Sequence, residues 1–121
     1  MAEIDLHLHT NQSDGRLTPA ELITLVAERG LKVVAVTDHD ITDGLEPAMA
    51  AAASHPQLTI IPGVELSTDI PGNEVHMLGY YIRYEDPSFQ ATLARFRDVR
   101  IGRAQEMVME VLVRWEGKKK K

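Results

Sequence analysis

Cysteine is absent from the 121-residue chain, which excludes disulfides and thiolate metal sites. Long apolar runs are absent too, and none reaches the roughly 18–20 residues that a membrane span needs. The N-terminus, MAEIDLHLHT, has neither the basic start nor the apolar stretch of a signal peptide. A soluble, cytoplasmic protein with no membrane partner is expected. Positive charge is scarce. The net charge is −5, and four of the thirteen basic residues are Lys118 to Lys121, without which it is −9. An acidic body excludes the usual basic nucleic-acid surface. An anionic substrate would therefore need help, and a metal cluster would supply it. The terminal lysines read as a solvated tail. A hydrophobic content of 44% suits one compact domain, or part of a larger one.

Ile4 to Leu8 alternates apolar and polar residues, the pattern of a short strand with one apolar face. A turn over Asn11 to Gly15 follows. Thr18-Pro19-Ala20-Glu21 opens a helix, with Thr as N-cap, Pro at the first helical position and Glu at the third. Leu22, Leu25 and Val26 form its apolar face and Gly30 ends it. Leu31 to Val36 suits a strand buried on both faces, as in a parallel sheet. The alanine-rich stretch from about Leu45 to Ser54 reads as a helix stopped before Pro56. Leu58 to Ile61 is a strand that runs on through Pro62-Gly63 to Leu66. Asp69 to Asn73 is a turn, and Val75 to Ile82 a further strand. From about Pro87 to Gly117 a single helix is predicted, with a stripe of Leu93, Phe96, Ile101, Ala104, Val108, Val111 and Trp115. At about 40 Å it would outrun a domain of this size, so it cannot bury its stripe against this chain alone. The order β-α-β-α-β-β-α argues an α/β fold with a mainly parallel sheet, part of a barrel.

Ionisable residues fall at or near the strand ends of this skeleton. His7 and His9 are two apart and share a face. Asp14 lies in the following loop. Asp38, His39 and Asp40 follow the second strand, Glu65 follows the third, and His76 sits early in the fourth. The C-terminal ends of strands are where α/β sheets and barrels gather active sites. Singly, each residue has an ordinary explanation: Asp14-Gly15 is a common turn, and Asp38 or Asp40 would cap a helix. His55, before Pro56, reads as a solvated loop residue. Together, so many ionisable groups would cost several kcal/mol each to bury without compensation. Divalent cations remove that cost, and nitrogen-plus-oxygen donors suit Zn2+, Mn2+ or Fe2+. Glu65 is the candidate bridging ligand. Two or three such ions match the logic of phosphoester hydrolysis by metal-activated water.

The strings DLHLHT, SDG, TP-x-EL, TDHD, IPGVELST and EVHMLGY resemble the PHP family, the polymerase-and-histidinol-phosphatase domain, and most of all its stand-alone nucleotide-phosphatase branch. The resemblance runs nearly continuously over residues 4–82. It implies a distorted (βα)7 barrel with a trinuclear metal site at its strand ends. By position, His7 and His9 would hold one metal, shared with Glu65. Asp14 and His39 would hold a second, and Glu65 and His76 a third. Asp38 and Asp40 would orient imidazoles or a metal-bound water. The branch hydrolyses phosphomonoesters, in 3′,5′-bisphosphorylated nucleotides or at the 5′ ends of short RNAs. The family pattern ends with another His and an Asp-x-His, and this chain stops before either. The implied organisation is therefore the N-terminal part of a barrel over 1–85, a long amphipathic helix over 86–117 that resembles the start of the branch's helical insertion, and the lysine tail at 118–121. Arg95, Arg97, Arg100 and Arg103 on that helix are either solvated or, in one case, a phosphate contact.

Two expectations follow. One is a metal-dependent phosphoesterase, or the first part of one, that acts on a small phosphorylated substrate. The other is a non-catalytic metal-binding fragment. In both, a homo-oligomer would form through the long helix or by pairing of half-barrels, because open sheet edges and apolar strand faces invite association.

Overall fold

The computed structural model describes the backbone over residues 3–70 and 73–119, and the side chains over 3–67 and 75–102 and at 105 and 109. Its elements are β1 (Ile4–Leu8), α1 (Pro19–Glu28), β2 (Val33–Val36), α2 (Leu45–Ala52), β3 (Thr59–Ile70), β4 (Asn73–Tyr80) and α3 (Pro87–Lys119). The strands form one sheet in the order β1-β2-β3-β4. β1, β2 and β3 run parallel, and β4 returns antiparallel to β3.

The helix starts follow local chemistry. Thr18 caps α1 in the predicted box: its hydroxyl accepts the Glu21 N–H at 3.2 Å, and Glu21 accepts the Thr18 N–H at 3.1 Å. Gly30, at φ 78°, turns the chain out of the helix while the Leu31 N–H returns to the Val26 carbonyl. The core lies between these helices and the sheet, where Leu22, Ile23 and Val26 of α1 and Leu45 and Ala48 of α2 meet Val34 and Val36 of β2. Ala35, on the other face of β2, is buried as well, as expected of a central parallel strand.

Several boundaries differ from expectation. β2 begins at Val33 rather than Leu31, because the Leu31 N–H is still held by the Val26 carbonyl of α1. β3 runs on past Leu66 to Ile70, so Glu65 lies within it rather than after it. Asp69, Ile70 and Asn73 are strand residues paired across the β3–β4 hairpin, not a turn; residues 71–72 lie outside the described residues. α2 takes Gly44 as its N-cap, so neither Asp38 nor Asp40 caps a helix.

The sheet curls. The Tyr80 hydroxyl at the end of β4 donates to the Leu6 carbonyl of β1 at 2.8 Å, although two strands separate them in the sheet. The expected half-barrel is thus present as a curved four-stranded α/β sheet. α3 is the expected long helix, about 50 Å at 1.5 Å per residue. Of its expected stripe, Leu93 is buried, Phe96 half-buried and Ile101 exposed. The side chains of Ala104, Val108, Val111 and Trp115 lie outside the described residues, as do Lys120 and Lys121 of the lysine tail. No helix among the described residues is long and apolar enough to cross a membrane.

Candidate metal centre

Glu65 is the hub. Its side chain is only 4% exposed, and both carboxylate oxygens face imidazoles. Oε1 contacts His7 Nε2 and lies 3.7 Å from His9 Nε2. Oε2 lies 2.7 Å from His39 Nδ1 and 3.5 Å from His76 Nδ1. Asp14 is a second, more exposed bridge. Its Oδ1 contacts His9 Nδ1, and its Oδ2 lies 3.1 Å from His39 Nε2. The rings stand edge-to-face, with centroids 4.5 Å apart for His9 and His39 and 5.1 Å for His7 and His9.

The backbone explains why these side chains meet. β1 bulges between Asp5 and Leu8 relative to β2, and a bulge at a strand end re-aims side chains. His7 and His9 both reach Glu65 from there. Glu65 is locked on both sides: it pairs with Leu78 on β4, while its N–H donates to Asp38 O and its carbonyl accepts from Asp40 N, each at 3.0 Å. His76 sits early in its strand yet belongs to the same end of the sheet. β4 runs antiparallel, so its start lies beside the end of β3, and His76 pairs with Ser67. Gly15 permits the β1–α1 loop to fold back, since a Cβ there would stand 2.5 Å from the His9 carbonyl oxygen.

Burial raises the Asp14 carboxyl, but the hydrogen bond with His9 and the neighbouring His9 and His39 charges outweigh it, and the net displacement is downward. An anionic Asp14 is the form that can ligate a cation.

The six residues expected as metal ligands, His7, His9, Asp14, His39, Glu65 and His76, form three overlapping triads: His7-His9-Glu65, His9-Asp14-His39 and His39-Glu65-His76. Within each triad the donor atoms lie within 4.8 Å of one another. The donor set fits divalent cations. The buried His9 Nε2 has no hydrogen-bond partner, and the imidazole and carboxylate donors are those that Zn2+, Mn2+ and Fe2+ take. His55 stands apart in the α2–β3 loop, where its backbone closes a turn to Leu58.

Asp38 and Asp40 sit beside His39, and the contacts of their carboxylates among the described residues go to other groups than its ring. The buried Asp38 carboxylate accepts the Thr10 N–H at 2.6 Å, the Thr10 hydroxyl at 2.7 Å and the Ser13 hydroxyl at 2.8 Å. It fixes the loop that carries Asp14. Asp40 turns toward Ser67 and α3. Nor are all the α3 arginines solvated: Arg97 donates to the Asp40 carbonyl at 2.8 Å, and Arg100 pairs with its carboxylate. Sequence reading missed Thr10 and Ser67. Ser67 was accessible, because it lies two residues beyond Glu65 on the same strand face. Its Oγ stands 3.4 Å from His39 Nδ1 and 3.5 Å from His76 Nδ1.

Residues 5–110 match the PHP domain family. The chain belongs to the PHP domain family. It is 43% identical over 107 residues to a 3′,5′-nucleoside bisphosphate phosphatase of Chromobacterium violaceum, covering 88% of this chain and 37% of that protein. It is 40% identical over 102 residues to the 5′-3′ exoribonuclease Rnm of Escherichia coli, covering 84% and 35%. Among solved structures, an amidohydrolase from Chromobacterium violaceum with bound sulfate superimposes with a TM-score of 0.79 at 42% identity, over 88% of this chain and 37% of that one. A protein from Bifidobacterium adolescentis assigned to the metal-dependent phosphoesterases gives 0.79 at 31% identity, over 91% and 38%. The curved sheet is therefore part of a PHP barrel. This PHP chain spans little more than a third of the length of the curated relatives it matches.

Proposed function

We propose that this PHP chain carries the metal-binding part of a phosphoesterase that hydrolyses phosphomonoesters of nucleotides or of RNA 5′ ends. The observation that carries the reading is Glu65, a buried carboxylate with each oxygen turned toward imidazoles from other strands or the loops that follow them. His7, His9, Asp14, His39, Glu65 and His76 would hold two or three divalent ions, Mn2+, Zn2+ or Fe2+. Such ions would activate water and neutralise charge on a phosphate group. Glu65 would bridge between ions, Asp14 would supply anionic charge at the open side, and His9, largely shielded from solvent, would ligate as neutral imidazole. The bisphosphate phosphatase and exoribonuclease relatives support a small phosphorylated substrate.

The test is phosphate release from a 3′,5′-bisphosphorylated nucleotide with added Mn2+. Release by the wild type that is lost in both His9→Ala and Glu65→Ala supports the reading; equal release by all three refutes it.

A second reading is a non-catalytic metal-binding unit that works only when assembled. Ile4 on β1 and Met77 on β4 are each 56% exposed, and Val99 and Ile101 on α3 are 64% and 55% exposed. Those surfaces favour pairing of half-barrels or association through α3, in a homo-oligomer. Bound Mn2+ without turnover, in a chain that sediments as an oligomer, would select this reading.

A further inference from the structure

Asp40 joins the metal cluster to the long helix. It is wholly buried, and its backbone is held at φ 54°, a left-handed conformation few non-glycine residues adopt. Its Oδ1 accepts the Ser67 N–H at 3.2 Å. Its Oδ2 has no aligned hydrogen bond and faces Arg100 Nη1 at 3.2 Å. A buried carboxylate with one oxygen left uncompensated is costly, and the guanidinium from α3 supplies the opposite charge. From Asp40 the line continues through Ser67, whose hydroxyl stands between His39 and His76.

The docking face of α3 agrees. Gln90 donates to the Thr42 hydroxyl at 2.7 Å, Leu93 is 1% exposed, and Arg97 and Arg100 both reach Asp40. Residues 90, 93, 97 and 100 are spaced three, four and three, so they share one helix face. That face lies against the β2–α2 loop, residues 37–44, which carries His39, Asp40 and Thr42. The helix is thus seated by polar contacts to the chain segment that carries a candidate ligand.

We propose that Arg100, Asp40 and Ser67 form a positioning relay, in which the seating of α3 sets how tightly the His39-Glu65-His76 triad takes a divalent cation. The proposal rests on the metal-centre reading above. Arg100 acts through Asp40, which fixes the Ser67 backbone, which places the hydroxyl beside two ligand rings. Partners one layer beyond the ligands typically govern metal affinity by about 10–100-fold.

The test is a Mn2+ titration of the full 121-residue chain, followed by the electron paramagnetic resonance of free Mn2+, which yields each site's occupancy and Kd. Arg100→Gln and Ser67→Ala should each weaken one and the same cation about 10–100-fold and leave the others within about twofold. Arg100→Lys, which keeps the charge, should recover part of the loss. Arg95→Gln, which removes an exposed charge from the same helix, should change nothing. Unchanged affinity in Arg100→Gln and Ser67→Ala overturns the relay. So does equal weakening of every cation, which marks a general structural fault. Should Arg100→Gln fail to fold, Ser67→Ala decides alone. Wild-type protein that takes fewer than two cations refutes the metal-centre reading, and the relay with it.

Discussion

Replacing Asp38 by alanine should cost more stability than its place outside the ligand set implies. The side chain is 2% exposed and accepts three hydrogen bonds, two from the wholly buried Thr10 and one from Ser13. Hydrogen bonds to a charged acceptor contribute about 1.5–3 kcal/mol each, so simple addition sets a ceiling of about 4.5–9 kcal/mol. The two hydroxyls can rotate toward other acceptors or water. The Thr10 N–H cannot, and its burial leaves it unpaired. We therefore expect Asp38→Ala to lose about 3–5 kcal/mol. With a urea m-value of about 1.5 kcal/mol per molar, the unfolding midpoint should fall by roughly 2–3 M. Asp38→Asn keeps one acceptor oxygen for the Thr10 N–H and puts a donor NH2 in place of the other, to which the Thr10 hydroxyl can turn as acceptor, so about 1–2 kcal/mol is expected. The loop that Asp38 fixes also carries Asp14, so Mn2+ affinity should fall about tenfold in Asp38→Ala. Equilibrium urea unfolding with circular dichroism measures the stability arm. A loss below about 1 kcal/mol for the alanine variant, or equal losses for alanine and asparagine, would refute the reasoning.

Gly15→Ala should destabilise by about 1–3 kcal/mol and reduce Mn2+ uptake, because the new Cβ would stand 2.5 Å from the His9 carbonyl oxygen and 2.8 Å from the His9 and Thr10 carbonyl carbons, all backbone atoms; calorimetry and metal analysis check both. The Thr18 backbone N–H, and after it the Thr18 hydroxyl, hold the Glu21 carboxyl below its ordinary value of 4.5. A depressed folded-state pKa gives stability that is present above that ordinary value and lost as pH falls through the folded one. Glu21→Gln should accordingly flatten part of the acid limb of the urea midpoint below about pH 4.5, and an unchanged limb would count against the capping box. A hundredfold excess of Mn2+ over its Kd should stabilise the fold by about 2.7 kcal/mol, or roughly 10 °C in Tm, reversed by chelator and absent in His9→Ala.

Local signals carried much of the architecture into the sequence. The capping box at Thr18 and Glu21 needs only adjacent residues, and it formed as expected. The buried run ending at Val36 and the alternation in Ile4–Leu8 placed β2 and β1. The matches to relatives cover the family reading that the His- and Asp-containing strings supported. What stayed hidden depends on contacts distant in sequence. The antiparallel course of β4, which explains why an early His76 reaches the cluster, is a property of strand pairing. The docking face of α3 is set by Asp40, more than fifty residues earlier, and Arg97 and Arg100 look like any charged helix surface until that partner is in place. Ile101 fits an apolar stripe by periodicity, but the face selected by Asp40 leaves it exposed.

The Asp38-His39-Asp40 triplet shows why carboxylates of one motif need not share a task. His39 turns toward Asp14 and Glu65, where both of its nitrogens meet acceptors. Its neighbours turn away, each to a different segment: Asp38 to the β1–α1 loop and Asp40 to β3 and α3. Their charges are met by N–H groups, hydroxyls and a guanidinium. The charges of Glu65 and Asp14 are met by imidazoles, which can pair with them as cations only when protonated. A divalent ion arriving at the cluster would thus replace protons on the histidines while leaving the bonds of Asp38 and Asp40 intact. In the proposed metal centre the triplet would therefore separate two functions within three residues. The central imidazole is available to exchange its partner, and the flanking carboxylates hold the three segments that define the site whether or not that exchange has occurred.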